Sequence, residues 1–209
     1  MADITFRAID ILKSVDMVLC EDTRQTKKLL DHYNISKPLV SYHQHSKIGK
    51  VDFIIGELKS GKNLALVSDA GTPGISDPGN MLVEAALKEG IRVVPIPGPS
   101  AVVTALSASG FPTDNFVFYG FMPHKKGKET LIKKIAENEI VSVFYESTHR
   151  IIKTLEKMKI FLEPKRQIIV CRELTKKFET IYRGNIEEVL EKLKQDKVLG
   201  EFVVIIDTK

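Results

Sequence analysis

The 209-residue chain has only two cysteines, Cys20 and Cys171, and each sits inside an apolar run. Two such residues make no disulfide framework and read as buried thiols of a reducing compartment. No apolar run reaches the roughly 18 residues that a membrane span needs, and no signal-peptide pattern is visible. The five histidines lack a zinc-ligand spacing, so no metal is expected. No glycine run leads into Lys-Ser or Lys-Thr, and G-x-G-x-x-G is missing. A P-loop and a dinucleotide phosphate turn are thereby disfavoured. Internal repeats and low-complexity segments are missing as well. Charge is nearly balanced, with 31 Lys and Arg against 27 Asp and Glu. The net +4 points only weakly to an anionic partner such as nucleic acid. A hydrophobic share of 43% is enough to bury a real core. These limits fit a cytoplasmic protein of one large or two small domains.

What the chain does have is a long Gly/Pro loop, Ser68-Asp69-Ala70-Gly71-Thr72-Pro73-Gly74-Ile75-Ser76-Asp77-Pro78-Gly79. It follows the apolar run Leu64–Val67 and precedes a helical pattern, with Asp77 as the expected N-cap and Pro78 at the first helical position. Ordinary connections of this kind run about 2–6 residues. Glycine lets backbone approach a ligand closely, and proline stiffens the loop. A second such loop, Pro95-Ile96-Pro97-Gly98-Pro99-Ser100-Ala101, also follows an apolar run and opens a helix. Ligands of open α/β sheets bind outside the carboxyl ends of the strands. Two such loops therefore predict a small-molecule site held mostly by backbone groups.

Around these loops the hydrophobic pattern alternates. A helix is expected from Ile4 to Ser14 with Asp3 as N-cap, then strands at Met17–Glu21, Leu39–Ser41, Leu64–Ser68 and Arg92–Ile96, with helices between them. Short crossovers of this type give a parallel sheet. After Gly110–Asn115 the pattern changes. Strands are expected at Phe116–Phe121, Val141–Glu146, Gln167–Arg172, Glu179–Arg183 and Phe202–Asp207. The third and fourth of these have no helix between them and read as a hairpin, so the second sheet is mixed. The fold class is α/β, with one lobe over residues 1–111, a second over 112–209, and a cleft between them. Phe116, Phe118 and Phe121 are expected in the core.

Seven motifs resemble one family. Ser68–Gly79 (SDAGTPGISDPG) and Pro97–Ala101 (PGPSA) are similar to the cofactor loops of the tetrapyrrole-methylase superfamily, the class III S-adenosylmethionine methyltransferases. Glu21–Arg24 (EDTR), Ser41–His45 (SYHQH), Gly120–Pro123 (GFMP), Tyr145–Arg150 (YESTHR) and Arg172–Lys176 (RELTK) resemble its ribosomal RNA small-subunit 2′-O-methyltransferase branch. The resemblance implies methyl transfer from S-adenosylmethionine to a cytidine ribose of 16S ribosomal RNA, naked or in the small ribosomal subunit. It also implies a homodimer. Asp69, Gly71, Thr72, Pro73, Ile75, Pro97, Gly98, Ser100 and Ala101 are the implied cofactor contacts. One departure is marked. The family begins with a strand and a T-P-I-G-N-L loop, whereas Met1-Ala2 directly precedes Asp3 here. The expectation is a first sheet with its first strand missing.

Methyl transfer to a hydroxyl needs in-line positioning and some relief of the hydroxyl proton. Strand-end carboxylates are the candidates: Glu146, Glu21 and Asp22. Their structural alternatives are pairing of Glu146 with Arg150 and capping of the next helix by Glu21 or Asp22. For RNA, Arg24, Arg150, Arg172 and Lys176 sit at loop edges, and arginine's planar fork suits phosphate. His43 and His45 share one face beside Tyr42. Lys125 and Lys126, with Lys128, form a basic turn after Pro123, suited to backbone phosphates. Two alternatives stand beside this reading: C-methylation of a tetrapyrrole ring, or a truncated, non-catalytic form that binds cofactor or RNA.

Overall fold

The computed structural model describes residues 1–43 and 48–209, so His45 lies outside the described residues. The chain divides into two units, Met1–Ser100 and Ala101–Lys209.

The first unit is a parallel sheet of β1 (Met17–Cys20), β2 (Leu39–Ser41) and β3 (Leu64–Val67), ordered β2-β1-β3. Alternating side chains serve two apolar layers. Val18 packs with Leu12 and Val15 around α1 (Phe6–Ser14) and with Leu30 of α2 (Thr23–His32). Leu19 packs on the other face with Ile54 of α3 (Ile48–Lys59) and Leu82 of α4 (Asn80–Lys88). Two helix starts differ from expectation. Thr5, not Asp3, caps α1, because its hydroxyl accepts from the Ala8 amide at 3.1 Å. Gly79 occupies the N-cap of α4, beyond Asp77 and Pro78. Its φ of +153° lies in a region that side chains avoid, and a Cβ there would meet Leu66 Cδ2 at 3.1 Å.

The expected strand Arg92–Ile96 does not form. Among the described residues the segment joins no ladder, and Val93 and Val94 are 40% and 54% exposed. β3 accordingly ends the sheet on that side, although Leu-Ala-Leu-Val is the composition of a strand covered on both sides. Its outer edge leaves backbone donors and acceptors without a sheet neighbour.

The second unit is a mixed sheet, ordered β4-β5-β8-β6-β7, of β4 (Phe116–Phe121), β5 (Val141–Ser147), β6 (Gln167–Arg172), β7 (Thr180–Asn185) and β8 (Glu201–Ile206). β6 and β7 pair antiparallel, as the expected hairpin. One face carries α6 (Lys128–Glu137), α7 (Ile151–Met158) and α8 (Ile186–Gln195), packed on Phe144, Ile168, Val204 and their neighbours. The other face carries α5 (Ala101–Ser107), whose Val102, Ala105 and Leu106 cover Val143, Ile169 and Ile205. That packing places α5 in the second unit, so the division falls ahead of the Gly110–Asn115 turn. α8 starts on a capping box: Asn185 accepts from the Glu188 amide, and the Glu188 carboxylate accepts from the Asn185 amide. Phe116 and Phe121 are not core residues. They end an edge strand and are 41% and 54% exposed, and only Phe118 is half-buried against α5's cluster.

Candidate active site

Parallel pairing puts the carboxyl ends of β1, β2 and β3 on one edge of the first unit. Cys20 stands beside Ser41 on one side and Val67 on the other. Glu21 and Asp22, Tyr42 and His43, and the Ser68–Gly79 loop therefore leave the sheet together. Polar contacts then knit the Gly/Pro loops to one another. Thr72 Oγ1 donates to the Pro99 carbonyl at 3.1 Å. Thr5 Oγ1 donates to the Pro97 carbonyl at 3.2 Å. Asp69 Oδ1 accepts from the Asp22 amide at 3.3 Å, which ties the long loop to the start of α2. Within the long loop the Gly74 amide donates to the Pro78 carbonyl, and the Ile75 amide to the Thr72 carbonyl, both at 3.2 Å. The Thr5 link has no signal in the sequence, since nothing local relates Thr5 to Pro97.

The glycines of this edge separate by cause. Gly74 and Gly79 are demanded by the protein's own packing: a Cβ would meet Asn80 Oδ1 at 2.9 Å from Gly74, and Gly74's backbone from Gly79. Gly71 has φ +77°, yet a Cβ on it would find nothing within 4 Å. Gly98 has neither a positive φ nor a neighbour within 4 Å of an added Cβ. Among the described residues no internal contact calls for glycine at 98, and the Pro-Gly-Pro backbone there is exposed.

Asp22 is the N-cap of α2, accepting from the Arg24 amide at 2.8 Å. Its carboxylate is also forked by Arg24, with Nε at 3.0 Å and Nη2 at 2.6 Å. The hydrogen bond from the Arg24 side chain, seconded by its amide, holds the Asp22 carboxyl at about 2. Folding thus depresses this group, so its contribution to stability is present above the ordinary value of 3.8 and disappears only as pH falls through about 2. A carboxylate so acidic is a weak proton acceptor at neutral pH. Its partner Arg24 is 85% exposed in the side chain and faces solvent. Glu21 and His43 are exposed on the same edge.

The second unit has its own carboxyl edge. β4, β5 and β6 all end there, and Glu146 and Arg172 flank the same residue, Phe202, of the antiparallel β8. Glu146 is 1% exposed. Its Oε1 accepts from the Ser147 amide at 2.7 Å and meets Arg150 Nη2 at 2.7 Å. Its Oε2 accepts from Thr154 Oγ1 at 2.6 Å and lies 4.0 Å from Lys128 Nζ. Lys128 in turn donates to Thr154 Oγ1 at 2.6 Å, and burial pushes its ammonium below the ordinary lysine range. Arg150 also donates to the Met122 carbonyl at 2.9 Å. Lys128 therefore belongs to this interior cluster, and only Lys125 and Lys126 of the basic turn are exposed.

Arg172 is likewise turned inward, donating to the Leu199 carbonyl at 2.8 Å and to Asp196 Oδ2 at 3.0 Å. Tyr182 donates to the same carboxylate oxygen. Lys176 bridges Glu173 at 2.9 Å and Glu201 at 2.7 Å. Burial works against its charge, but those two hydrogen bonds outweigh it and hold the ammonium above its ordinary range. Both thiols are buried and free, and desolvation pushes Cys171 up to about 11, so neither is poised as a nucleophile.

A parallel first sheet, a mixed second sheet and Gly/Pro loops at a strand-end edge make an α/β protein with its loops where ligands of open sheets bind. The model of the Tetrapyrrole (Corrin/Porphyrin) Methylases matches residues 1–190, and the chain belongs to that family. Among curated relatives, "Ribosomal RNA small subunit methyltransferase I" of Bacillus subtilis is 49% identical over 208 residues, covering 99% of this chain and 71% of that protein. The protein of the same name from Halalkalibacterium halodurans is 48% identical, at 99% and 72% coverage. Its Escherichia coli O157:H7 counterpart is 45% identical, at 99% and 73%. Among solved structures, a cobalt precorrin-4 methyltransferase of cobalamin biosynthesis matches with a TM-score of 0.74 at 13% identity, covering 99% of this chain and 89% of that one. Uroporphyrin-III C-methyltransferase from Thermus thermophilus matches at 0.68 and 16% identity, over 99% and 88%. At such identities these two structures speak to the fold alone.

Proposed function

We propose that the chain is an S-adenosylmethionine-dependent methyltransferase of the cytoplasm that methylates a cytidine ribose 2′-hydroxyl in 16S ribosomal RNA of the small subunit. The observation that carries the cofactor part is the uncrowded glycine pair, Gly71 and Gly98, on two loops tied together by Thr72 and Pro99. The RNA part rests on relatives at 45–49% identity whose names specify small-subunit ribosomal RNA. Against a tetrapyrrole substrate stand those relatives, since the tetrapyrrole enzymes resemble this chain in fold at far lower identity.

Backbone groups of Asp69–Ile75 and Pro97–Ala101 would hold the cofactor, whose sulfonium supplies the methyl group. Proline on either side of Gly98 keeps that backbone in place, so less ordering is left for binding to impose. Thr5 and Thr72 brace the second loop at two carbonyls, Pro97 and Pro99. Asp22 stays ionised and orients Arg24 toward solvent, where a guanidinium can meet an RNA phosphate. Glu146 organises Arg150 and Lys128 rather than standing free at a surface. Lys125 and Lys126 contact RNA backbone. The working unit is a homodimer, for which light scattering should give about twice the 23.4 kDa chain mass; a value near 23.4 kDa at micromolar concentration would contradict it.

The test is a methyl-transfer assay with labelled cofactor on 16S ribosomal RNA and on small subunits, followed by mapping of the modified ribose. Transfer to a base, or none to either substrate, would overturn the reading. The basic turn adds a separate expectation. Lys125→Gln with Lys126→Gln should flatten the plot of log affinity against log salt by about 0.7 for each single-strand phosphate no longer neutralised. Cofactor affinity should stay unchanged. An unaltered salt slope would leave the turn as solvated surface.

A further inference from the structure

The segment that joins β6 to β7 has features the methyl-transfer site does not use. Two consecutive turns build it: the Lys176 amide donates to the Glu173 carbonyl at 3.0 Å, and the Glu179 amide to the Lys176 carbonyl at 3.2 Å. Glu173 and Thr175 both sit in the left-handed region, at φ 49° and 62°. That conformation is uncommon for side-chain-bearing residues and rarer for a β-branched one. It is maintained by side chains. Glu179 Oε2 accepts from the Thr175 amide at 2.6 Å. Glu173 Oε1 accepts from the Glu201 amide and from Lys176 Nζ, both at 2.9 Å. The Glu173 amide donates to the Glu201 carbonyl at 2.9 Å, extending the sheet into the loop.

On this locked base stands Phe178, 64% exposed, with Lys177 Nζ 5.6 Å from its ring centroid. Single exposed apolar residues are common on surfaces. This one differs in its setting. The loop's carboxylates accept from internal donors, Glu173 from Lys176 and Glu179 from the Thr175 amide, and the exposed Lys177 lies beside the ring. An exposed aromatic ring with a cation beside it, on a braced backbone, is an arrangement that binds unpaired bases: the ring stacks and the cation meets the phosphate.

We propose that the β6–β7 loop is an RNA-docking tip on which Phe178 stacks against an unpaired base while Lys177 contacts a neighbouring phosphate. The proposal rests on the ribosomal RNA reading above and narrows it, because a stacking tip requires the RNA beside the target to offer single-stranded nucleotides. A duplex cannot expose a base face without being opened.

The experiment uses the full chain with two probes, an unstructured single-stranded RNA 12-mer of mixed sequence and a perfect RNA duplex, at low salt. Phe178→Ala is expected to weaken the single strand by about 5- to 150-fold, the range that base stacking spans on alanine substitution. Duplex binding should change little. Phe178→Trp should restore single-strand binding, and Lys177→Gln should lower its salt slope by about 0.7. Equal single-strand affinity of Phe178→Ala and the parent overturns the proposal. So does a Phe178→Ala protein that changes its mass by light scattering but keeps its RNA affinity, since the ring would then belong to a protein interface. Methyl transfer to small-subunit RNA is measured in parallel. Its absence alongside Phe178-dependent RNA binding would sink the methylation reading alone, whereas its presence without Phe178 dependence would sink only the docking tip.

Discussion

Glu146→Ala is expected to lower the stability of the second unit by about 3–5 kcal/mol, the usual cost of removing one partner from a buried ionic cluster. The Glu146 side chain has no solvent exposure, and those of Arg150 and Lys128 retain 17% and 12%. Deleting the carboxylate leaves two poorly solvated cations and the Thr154 hydroxyl facing a cavity. On heating, the loss should appear as a fall in melting temperature of about 10–20 °C. Glu146→Gln should be milder, since an amide keeps one acceptor but turns a donor toward Arg150, Thr154 or the Ser147 amide. Adding Lys128→Met and Arg150→Met to Glu146→Ala should recover part of the loss, because the stranded charges are gone. A fall below about 1 kcal/mol would make Glu146 a candidate base again.

Gly98→Val is expected to leave melting unchanged and to weaken S-adenosylmethionine binding by about 5- to 150-fold, the effect of forcing extra methyl groups into a filled site. The position is suited to this test. Its backbone is not left-handed and an added Cβ meets nothing within 4 Å, so the folded protein tolerates the side chain. Valine also suits the extended conformation that a following proline favours. Gly71→Val is the less clean companion, because φ +77° adds backbone strain to any effect on the ligand. Calorimetric titration on the folded variants reads the result. An unchanged affinity for Gly98→Val would remove the second loop from the cofactor site.

Local signals were legible and most partners were not. The two Gly/Pro loops declare themselves because glycine and proline carry backbone meaning independent of context. The strands of the second sheet read as apolar runs, and the hairpin follows from the lack of room for a helix between β6 and β7. Arg92–Ile96 has the β-branched Val93, Val94 and Ile96 but also Pro95, which has no N–H to give a ladder, and the segment joins none. Phe121 looks like core, but whether β4 is central or at the edge is settled by sheet order. Glu146 and Arg172 read as strand-end charges near a ligand. The Glu146–Arg150 pair was legible as an i,i+4 alternative and the structure has it, whereas Lys128 of α6 and the partners of Arg172 in the α8–β8 connection are distant in sequence. Asp22 was legible as a possible cap, but the fork from Arg24 that makes it so acidic was not.

The position of β8 bears on how the second unit is born. It is the last strand in chain order and yet the middle one of its sheet, wedged between β5 and β6 with antiparallel pairing on both sides. Arg166, just before β6, waits on the same event. Its guanidinium spans the Ala136 carbonyl at 2.6 Å, the Asn138 carbonyl at 2.9 Å and the Asp207 carbonyl at 2.9 Å. Until Glu201–Asp207 is in place the sheet is two halves, β4-β5 and β6-β7, with facing vacant edges, and Arg166 is short of one acceptor. The second unit therefore cannot be completed from its N-terminal side, and an intermediate that lacks β8 exposes the surface most prone to strand exchange.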